Sequence, residues 1–321
     1  MEMLNTLAKE LNAKVVQTHA SWVLILEDVV YKIKKPVNFG FLDYSTLEKR
    51  RENCEKEVLL NKRLCENIYL GVVPISYVFG SFRIEDESNV VEYAVKMKRI
   101  PQERLLLNML DNVSEEDMKR IARRIAIFHS MAERKDEFGK LEVIKYNTDE
   151  NFEQTQKYVG ITIDEADYRF IKEKTEAFYK KYTHLFEKRI KDGKIRDGHG
   201  DIRLEHVALL EEGICVFDCI EFNERFRCGD VINDMCFLSM ELDFYGRKNL
   251  SLAYEEEYKR LSMDEEFDIF LPFFKCYRAY VRGKVNSFLL DDPYYPSKES
   301  ATVLAKKLFK LSTFYAQLIP T

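Results

Sequence analysis

Two acidic residues, Asp201 and Asp218, flank a short segment that has the pattern of a β-hairpin. Two apolar runs of strand length, Val207 to Leu210 and Ile214 to Phe217, are joined by the turn-like Glu211-Glu212-Gly213. A hairpin brings the residues at its open end together, so the two carboxylates are expected to meet although they are 17 residues apart. Such a pair suits nucleotide–metal chemistry, in which one carboxylate orients a hydroxyl or accepts its proton and the other holds Mg²⁺ against phosphates.

Arg203 and His206 add a cation and an imidazole to the same segment. A surface turn is the alternative interpretation of His199-Gly200-Asp201, because all three residue types are common in turns. The strand–turn–strand–Asp pattern that follows favours the catalytic interpretation.

Length and composition limit the classes of protein that need to be considered. A chain of 321 residues is long enough for two domains or a two-lobed fold, and 46% hydrophobic with 33% charged residues is typical of a globular protein. The net charge of −5 argues against nucleic-acid binding through a general basic surface. No apolar run approaches the roughly 20 residues of a membrane span, and the N-terminus lacks the pattern of a signal peptide, so a cytoplasmic location is expected.

The seven cysteines are expected to be reduced. Five of them lie in apolar segments and are predicted to be buried free thiols: Cys54, Cys65, Cys215, Cys236 and Cys276. No C-x-x-C pair is present, which argues against a zinc site.

Residues 14–98 are predicted to form an antiparallel sheet with one inserted helix. The strands 22–26 and 29–34 are separated by the turn-like Glu27-Asp28, and further strands are predicted from Val72 to Phe82 and from Val90 to Met97. Because side chains alternate along a strand, Lys32 and Lys34 are predicted to share one face.

The inserted helix is predicted to begin at the capping box Ser45-Thr46-Leu47-Glu48 and to run to about Glu66. Glu57 lies at the edge of its apolar stripe, where an unpaired carboxylate would be costly. A lysine of the preceding hairpin is the natural partner, and a solvated position for Glu57 is the alternative.

A break at Lys98-Arg99-Ile100-Pro101 divides the chain into predicted domains 1–98 and 99–321. The second is predicted to be mostly helical, with Asp230 as the N-cap of one helix. The glycine-rich phosphate loops G-x-x-x-x-G-K-[ST] and G-x-G-x-x-G are absent, as are H-E-x-x-H and G-x-S-x-G. Nucleotide binding by a glycine-rich loop is therefore not indicated.

A strand lysine, a helix glutamate, a distant H-x-D-x-x-x-x-[N/H] and a strand-ending aspartate form the order of parts in protein-kinase-like phosphotransferases. The sequence resembles the aminoglycoside phosphotransferase family, and within it an uncharacterised bacterial branch. The resemblance covers nearly the whole chain and is carried by residues 21–23, 31–47, 70–75, 199–207 and 218–223. It implies an α+β, protein-kinase-like fold of two lobes: an N-lobe with an antiparallel sheet and one long helix, and a mostly helical C-lobe.

Carried over residue by residue, the resemblance implies that Asp201 is the catalytic base and that Arg203 neutralises the transferring phosphoryl group. Lys34 or Lys32 would pair with the α- and β-phosphates of ATP and with Glu57. The match of residues 33–36 favours Lys34, while the register leaves Lys32 open.

The same resemblance implies further nucleotide and metal contacts. Ser21 belongs to a segment that would replace the glycine-rich loop, and Lys98 and Ile100 to the hinge against adenine. Asp218 would chelate Mg²⁺. His206 stands where aminoglycoside enzymes have an asparagine ligand, and imidazole is a poor ligand for Mg²⁺. Glu221 or Asn223 would then supply the missing oxygen, or one metal suffices, or Mn²⁺ is used.

The expected function is an ATP- and Mg²⁺-dependent phosphotransferase acting on a hydroxyl of a small molecule, with no nucleic-acid or membrane partner. A kinase-like nucleotide-binding pseudoenzyme or regulatory module is the alternative, which His206 favours. A third possibility is transfer of a nucleotidyl group to a protein. The acceptor and the oligomeric state stay open.

Overall fold

The computed structural model describes residues 2–321, which divide into two compact units. The first unit runs to Asn112 and also takes in His199–Asp201 and Glu205–Arg227. The second contains Val113–Gly198, Ile202–Leu204 and Cys228–Thr321. The first unit therefore holds Asp201 and Asp218 together with the sheet that was predicted to end at residue 98.

A six-stranded antiparallel sheet forms the first unit, with the strand order β1-β2-β3-β6-β4-β5. Its strands are β1 (Lys14–Gln17), β2 (Ser21–Ile25), β3 (Val29–Lys34), β4 (Tyr69–Val78), β5 (Ser81–Ile84) and β6 (Val90–Lys98). Helix α1 (Glu2–Glu10) buries Leu4 and Leu7 in the apolar cluster that includes Leu24, Ile33 and Ile75 of the sheet. The predicted antiparallel sheet is confirmed.

The predicted strand from Val72 to Phe82 is wrong, because the chain turns back within it. Phe79 and Gly80 both have positive φ, 50° and 84°, and form the two-residue connection between β4 and β5. Two-residue hairpin loops of type I′ require positive φ at both central positions. Phe79 is 98% exposed although it is apolar. Because an apolar residue occupies the turn, the two strands look like one in the sequence.

Helix α2 (Leu47–Asn61) begins at Thr46, whose side chain accepts a hydrogen bond from the Lys49 amide. Its buried face carries polar side chains at positions 50, 57 and 61 beside Cys54. The Arg50 guanidinium is paired with Glu92 of β6 at 2.9 Å. Buried polar side chains need hydrogen-bonding or ionic partners. The partners of Glu57 belong to the candidate active site.

The predicted hairpin is present as β8 (Val207–Leu210) and β9 (Gly213–Val216), also in the first unit, with Val207 opposite Val216. The expectation that Cys65 and Cys215 are free thiols is wrong, because a disulfide joins them. The residues after α2 lie against β9, where the Val216 amide donates to the Leu64 carbonyl, and this brings the two cysteines together. Cys54, Cys236 and Cys276 are buried free thiols, as predicted.

The first unit also contains the short helices α3 (Leu106–Met109) and α7 (Glu224–Arg227).

The second unit is mostly helical, as predicted. It contains one two-stranded antiparallel ladder, β7 (Ile195–Asp197) with β10 (Cys228–Asp230). Its helices are α4 (Glu115–Met131), α5 (Leu141–Thr155), α6 (Glu165–Lys191), α8 (Val231–Phe244), α9 (Lys248–Ser262), α10 (Phe267–Phe288) and α11 (Lys298–Leu318). Asp230 caps α8 by accepting the Ile232 amide at 2.9 Å, which confirms its predicted role. None of the described helices combines the length and apolar content needed to cross a lipid bilayer.

Candidate active site

Lys32 of β3 contacts two carboxylates that are far apart in the sequence, those of Glu57 and Asp218. Its ammonium donates to Glu57 Oε1 at 2.8 Å and to Asp218 Oδ1 at 2.7 Å. Glu57 is completely buried, whereas 43% of the Asp218 side chain is exposed. Glu57 is therefore not the solvated glutamate of the alternative interpretation but a buried partner of the strand lysines.

Lys34 lies two residues further along the same face of β3 and contacts the other oxygen of Glu57, Oε2, at 2.7 Å. Its ammonium also donates to Glu221 Oε1 and lies 3.3 Å from the Tyr44 hydroxyl. Five charged side chains thus alternate in sign, in the order Asp218, Lys32, Glu57, Lys34 and Glu221. We call this set the charge ladder.

Three members of the ladder, Lys32, Asp218 and Lys34, stay ionised in spite of burial. Burial opposes the charged form of Lys32, but the carboxylates of Asp218 and Glu57 outweigh it and raise the pKa well above its usual value. Burial likewise opposes the ionised form of Asp218, but the charges of Lys32 and His206 outweigh it and hold the pKa of that carboxyl below its usual value. The pKa of Lys34 is raised in the same way, by Glu221 and Glu57 against burial.

The backbone at Asp218 is held in a conformation that side-chain-bearing residues rarely adopt, with φ of +60°. Its amide donates to the Tyr69 hydroxyl at 3.2 Å, and the next amide, of Cys219, donates to Asn61 Oδ1 at 2.9 Å. Asn61 lies one turn after Glu57 on α2, so the same helix positions both Glu57 and the chain after Asp218.

His206 lies between the two carboxylates of the predicted hairpin. Its Nδ1 is 2.9 Å from the Asp201 carbonyl oxygen and 3.2 Å from Asp201 Oδ2, and its Nε2 is 3.6 Å from Asp218 Oδ2. The structure therefore brings Asp201, His206 and Asp218 together, as the hairpin pattern predicted.

Gly200 allows the chain to approach closely just before Asp201. Its φ is +85°, and a Cβ at this position would lie 2.7 Å from the Phe226 carbonyl oxygen. The Ile220 amide donates to the His199 carbonyl at 3.1 Å, so the segment after Asp218 is attached to the loop that carries Asp201.

Arg203 belongs to the second unit, where its Nε donates to Glu241 Oε1 at 2.9 Å. The other oxygen of Glu241 accepts the Leu204 amide at 2.8 Å. Sequence reasoning missed Glu241. Its position within the largely apolar helix α8 was the available signal, because a buried carboxylate there needs a partner.

The remaining predicted nucleotide contacts lie on the sheet or directly after its strand β6. Ser21 is opposite Lys34 in the β2–β3 register, and its amide donates to Thr18 Oγ1 at 2.9 Å in the turn that precedes β2. Lys98 ends β6, and its amide donates to the Ile68 carbonyl at 2.9 Å. Ile100 packs against the apolar cluster that contains Cys54 and Val95. Their roles toward a nucleotide stay predictions.

Three further groups complete the site and were missed or given no role at the sequence level: Tyr44, Asn61 and Tyr69. Asn61 follows the helical spacing of α2, which is a usable signal, whereas nothing in the sequence distinguishes the two tyrosines. Among the ladder and its neighbours, Asp218 and Asp201 offer the carboxylate oxygens that Mg²⁺ prefers. Glu221, the predicted alternative ligand, is held by Lys34 and Tyr44 instead.

No known protein-family model matches the chain. Uncharacterised proteins of Mycobacterium tuberculosis and Mycobacterium bovis are 32% identical to it over 274 residues, which is 84% of this chain and 53% of each relative. The chain thus spans about half the length of the curated relatives that it matches.

Solved structures match over nearly the whole chain. A choline kinase from Cryptosporidium parvum is similar with a TM-score of 0.58 and 12% identity, over 95% of this chain and 88% of that one. An ethanolamine kinase from Plasmodium vivax has a TM-score of 0.52 and 13% identity, over 94% and 81%. A spectinomycin phosphotransferase in complex with ADP and spectinomycin has a TM-score of 0.50 and 14% identity, over 95% and 93%. The chain therefore has a protein-kinase-like fold, as its sequence resemblance implied.

Proposed function

We propose that the protein is an ATP- and Mg²⁺-dependent phosphotransferase that moves the γ-phosphoryl group to a hydroxyl of a small molecule. The observation that carries this proposal is the bridge from Lys32 to both Glu57 and Asp218, with His206 between Asp218 and Asp201. The structural neighbours, two kinases and a phosphotransferase in complex with ADP, support the same class.

Lys32, rather than Lys34, is the lysine that contacts the phosphates in this proposal. Its side chain is 17% exposed and one of its partners, Asp218, is 43% exposed. Lys34 is 1% exposed and is surrounded by Glu57, Glu221 and Tyr44, which leaves its ammonium no direction toward a ligand. The exposure and contacts of the two lysines thus favour Lys32, whereas the sequence match of residues 33–36 favours Lys34.

Asp218 would hold Mg²⁺, which would neutralise the charge of the phosphates when bound. Asp201 would orient the acceptor hydroxyl and accept its proton. His206 binds the Asp201 backbone and carboxylate, which supports a role in positioning the base rather than in ligating a metal that prefers oxygen. Arg203 is paired with Glu241, which supports a role in holding the chain after Asp201.

The test is formation of ADP from ATP and Mg²⁺ across a panel of small alcohols, amino alcohols and sugars, with mass spectrometry of the products. We expect one class of alcohol to gain a phosphate group, and Asp201→Asn to abolish transfer while ATP binding and the unfolding midpoint stay near wild type. Undiminished transfer by that variant would remove Asp201 from the mechanism.

A nucleotide-binding pseudoenzyme is the second candidate, and one observation favours it. His206 occupies the position of the second metal ligand in the resembling enzymes, and its Nδ1 faces Asp201. Calorimetric titration with ATP, with and without Mg²⁺, separates the two candidates when it is combined with the turnover assay. Tight binding with no turnover of any acceptor, and no nucleotidylated protein by mass spectrometry, would favour the pseudoenzyme.

A further inference from the structure

Two lysines share one buried carboxylate. Glu57 has a cation on each oxygen, Lys32 on Oε1 and Lys34 on Oε2. A buried glutamate needs a cationic partner, but one lysine already provides it. The second lysine therefore requires an explanation of its own, because burying an additional ammonium group is itself costly.

The two lysines differ in their other partners. Lys32 binds Asp218, the end member of the ladder, whose side chain solvent and ligands can reach. Lys34 binds Glu221, whose side chain is 6% exposed, and the hydroxyl of the buried Tyr44. The ladder consequently has one open end at Lys32 and Asp218 and one closed end at Lys34 and Glu221.

The closed end joins three parts of the first unit. The Tyr44 hydroxyl donates to Glu221 Oε1 at 2.5 Å, and its ring centroid is 4.8 Å from Lys34 Nζ. Tyr44 comes from the segment after β3, Glu57 from α2 and Glu221 from the segment after Asp218. Asp218 and Glu221 are three residues apart, so neighbouring ammonium groups of β3 hold that segment at two points.

We propose that Lys34 is a positioning residue, which keeps Glu57 and Glu221 in place so that Lys32 can exchange Asp218 for the phosphates of a nucleotide. When the Lys32 ammonium turns toward phosphate, Glu57 keeps Lys34 as its cation and is not left as an unpaired buried charge. Asp218 becomes available to a metal ion, while Lys34 and Tyr44 still hold the chain through Glu221. The inference rests on the proposed phosphotransferase function, since it assigns the phosphates to Lys32.

The experiment compares Lys34→Met with the double variant Lys34→Met/Glu221→Gln, which removes the carboxylate that the single variant leaves without its lysine. Lys49→Met is the matched control, because Lys49 forms a half-exposed ion pair with Asp43 in the same unit, away from the ladder. The readouts are the dissociation constant of Mg·ATP by calorimetry, KM and kcat for ADP formation, and the urea midpoint.

We expect Lys34→Met to lower the urea midpoint and to weaken Mg·ATP binding about tenfold, within the range of coupling between contacting charged residues. The double variant should recover most of the midpoint but keep the weakened binding and the raised KM, because Glu57 still lacks its second cation. Tyr44→Phe, which removes only a hydroxyl, should raise KM for ATP about twofold to threefold in a folded protein. Lys49→Met should match wild type.

Recovery of both the midpoint and the ATP affinity in the double variant would overturn the inference, because Lys34 would then only offset the charge of Glu221. An unchanged KM in Tyr44→Phe together with unchanged ATP affinity in Lys34→Met would overturn it as well. If wild type binds Mg·ATP and the Lys34 variants weaken that binding, but no alcohol is phosphorylated, the proposed function fails while the positioning role stands. A wild-type protein that binds no ATP overturns both.

Discussion

The carboxylate of Glu241 binds the guanidinium of Arg203 at 2.9 Å, and its second oxygen accepts the backbone amide that follows Arg203. Both side chains are nearly buried, 12% exposed for Arg203 and 10% for Glu241. One carboxylate of α8 thus satisfies a charge and an amide of the segment 202–204, two groups that would each be costly to leave unpaired in the interior.

The first prediction concerns this pair. Glu241→Gln keeps the shape of the side chain but removes its charge, so the nearly buried Arg203 loses the ionic contact with this carboxylate. We expect the free energy of unfolding to fall by about 3 kcal/mol, as is typical when one member of a buried ion pair is removed. Urea denaturation measures the change. Glu176→Gln, at an exposed position of α6, is the control, and an equal response of the two variants would refute the interpretation.

The second prediction tests the approach of the chain at Gly200. Gly200→Ala places a methyl group 2.7 Å from the Phe226 carbonyl oxygen, on a backbone that already has positive φ. Gly213→Ala is the matched control in the β8–β9 turn, because its φ is also positive, +135°, but no heavy atom lies within 4 Å of the added Cβ.

Both glycine variants should lose about 1–2 kcal/mol of stability from backbone strain, and Gly200→Ala should lose more because of the clash. ADP formation should fall only in Gly200→Ala, since Gly200 adjoins the proposed base. Comparable stability and turnover in the two variants would show that the close approach at Gly200 has no consequence.

The third prediction concerns the disulfide between Cys65 and Cys215, which are separated by 150 residues. Closing so long a loop is expected to stabilise the folded state by about 4–5 kcal/mol in the chain-entropy model. Urea unfolding of wild type should therefore shift strongly with a reductant, whereas Cys65→Ser/Cys215→Ser should not respond. Thiol labelling of the denatured, non-reduced protein supplies the chemical check, and seven reactive thiols would contradict the bond.

The fourth prediction is a pH dependence carried by Glu257 in α9. Hydrogen bonds from Arg260 and Arg123 lower the pKa of Glu257 from 4.5 to about 2. A carboxyl whose pKa is lowered by folding adds stability that is fully present above its unfolded pKa and is lost as the pH falls toward the folded pKa. The contribution should therefore be complete above about pH 5 and decline between pH 4.5 and 2.

The measurement for Glu257 is the difference in unfolding free energy between wild type and Glu257→Gln from pH 7 down to pH 3. The difference should be constant near neutrality and shrink in acid. Glu256→Gln, at the exposed neighbouring position, should show no such trend. A difference that grows in acid would have the wrong sign and would exclude the ion pairs as its cause.

Local patterns were sufficient for much of the fold and for the identity of most of the site. The alternation of a strand placed Lys32 and Lys34 on one face, and the helical spacing of α2 placed Glu57 at the edge of its apolar stripe. The hairpin pattern joined Asp201 to Asp218. Each inference depends only on the repeat of one regular element and on its turn residues, which are properties of neighbouring residues in the chain.

Partner choice depended on the tertiary structure. The sequence offered two lysines and several carboxylates, but only packing decides that Lys34 is enclosed by Tyr44 and Glu221 while Lys32 stays within reach of solvent. The disulfide of Cys65 escaped prediction for the same reason, because its partner Cys215 is 150 residues away. The turn at Phe79 was missed for a local reason, because an apolar residue stands in it. Side-chain periodicity specifies which face a residue occupies, whereas the groups that meet it there come from segments far away in the chain and are selected by burial and charge together.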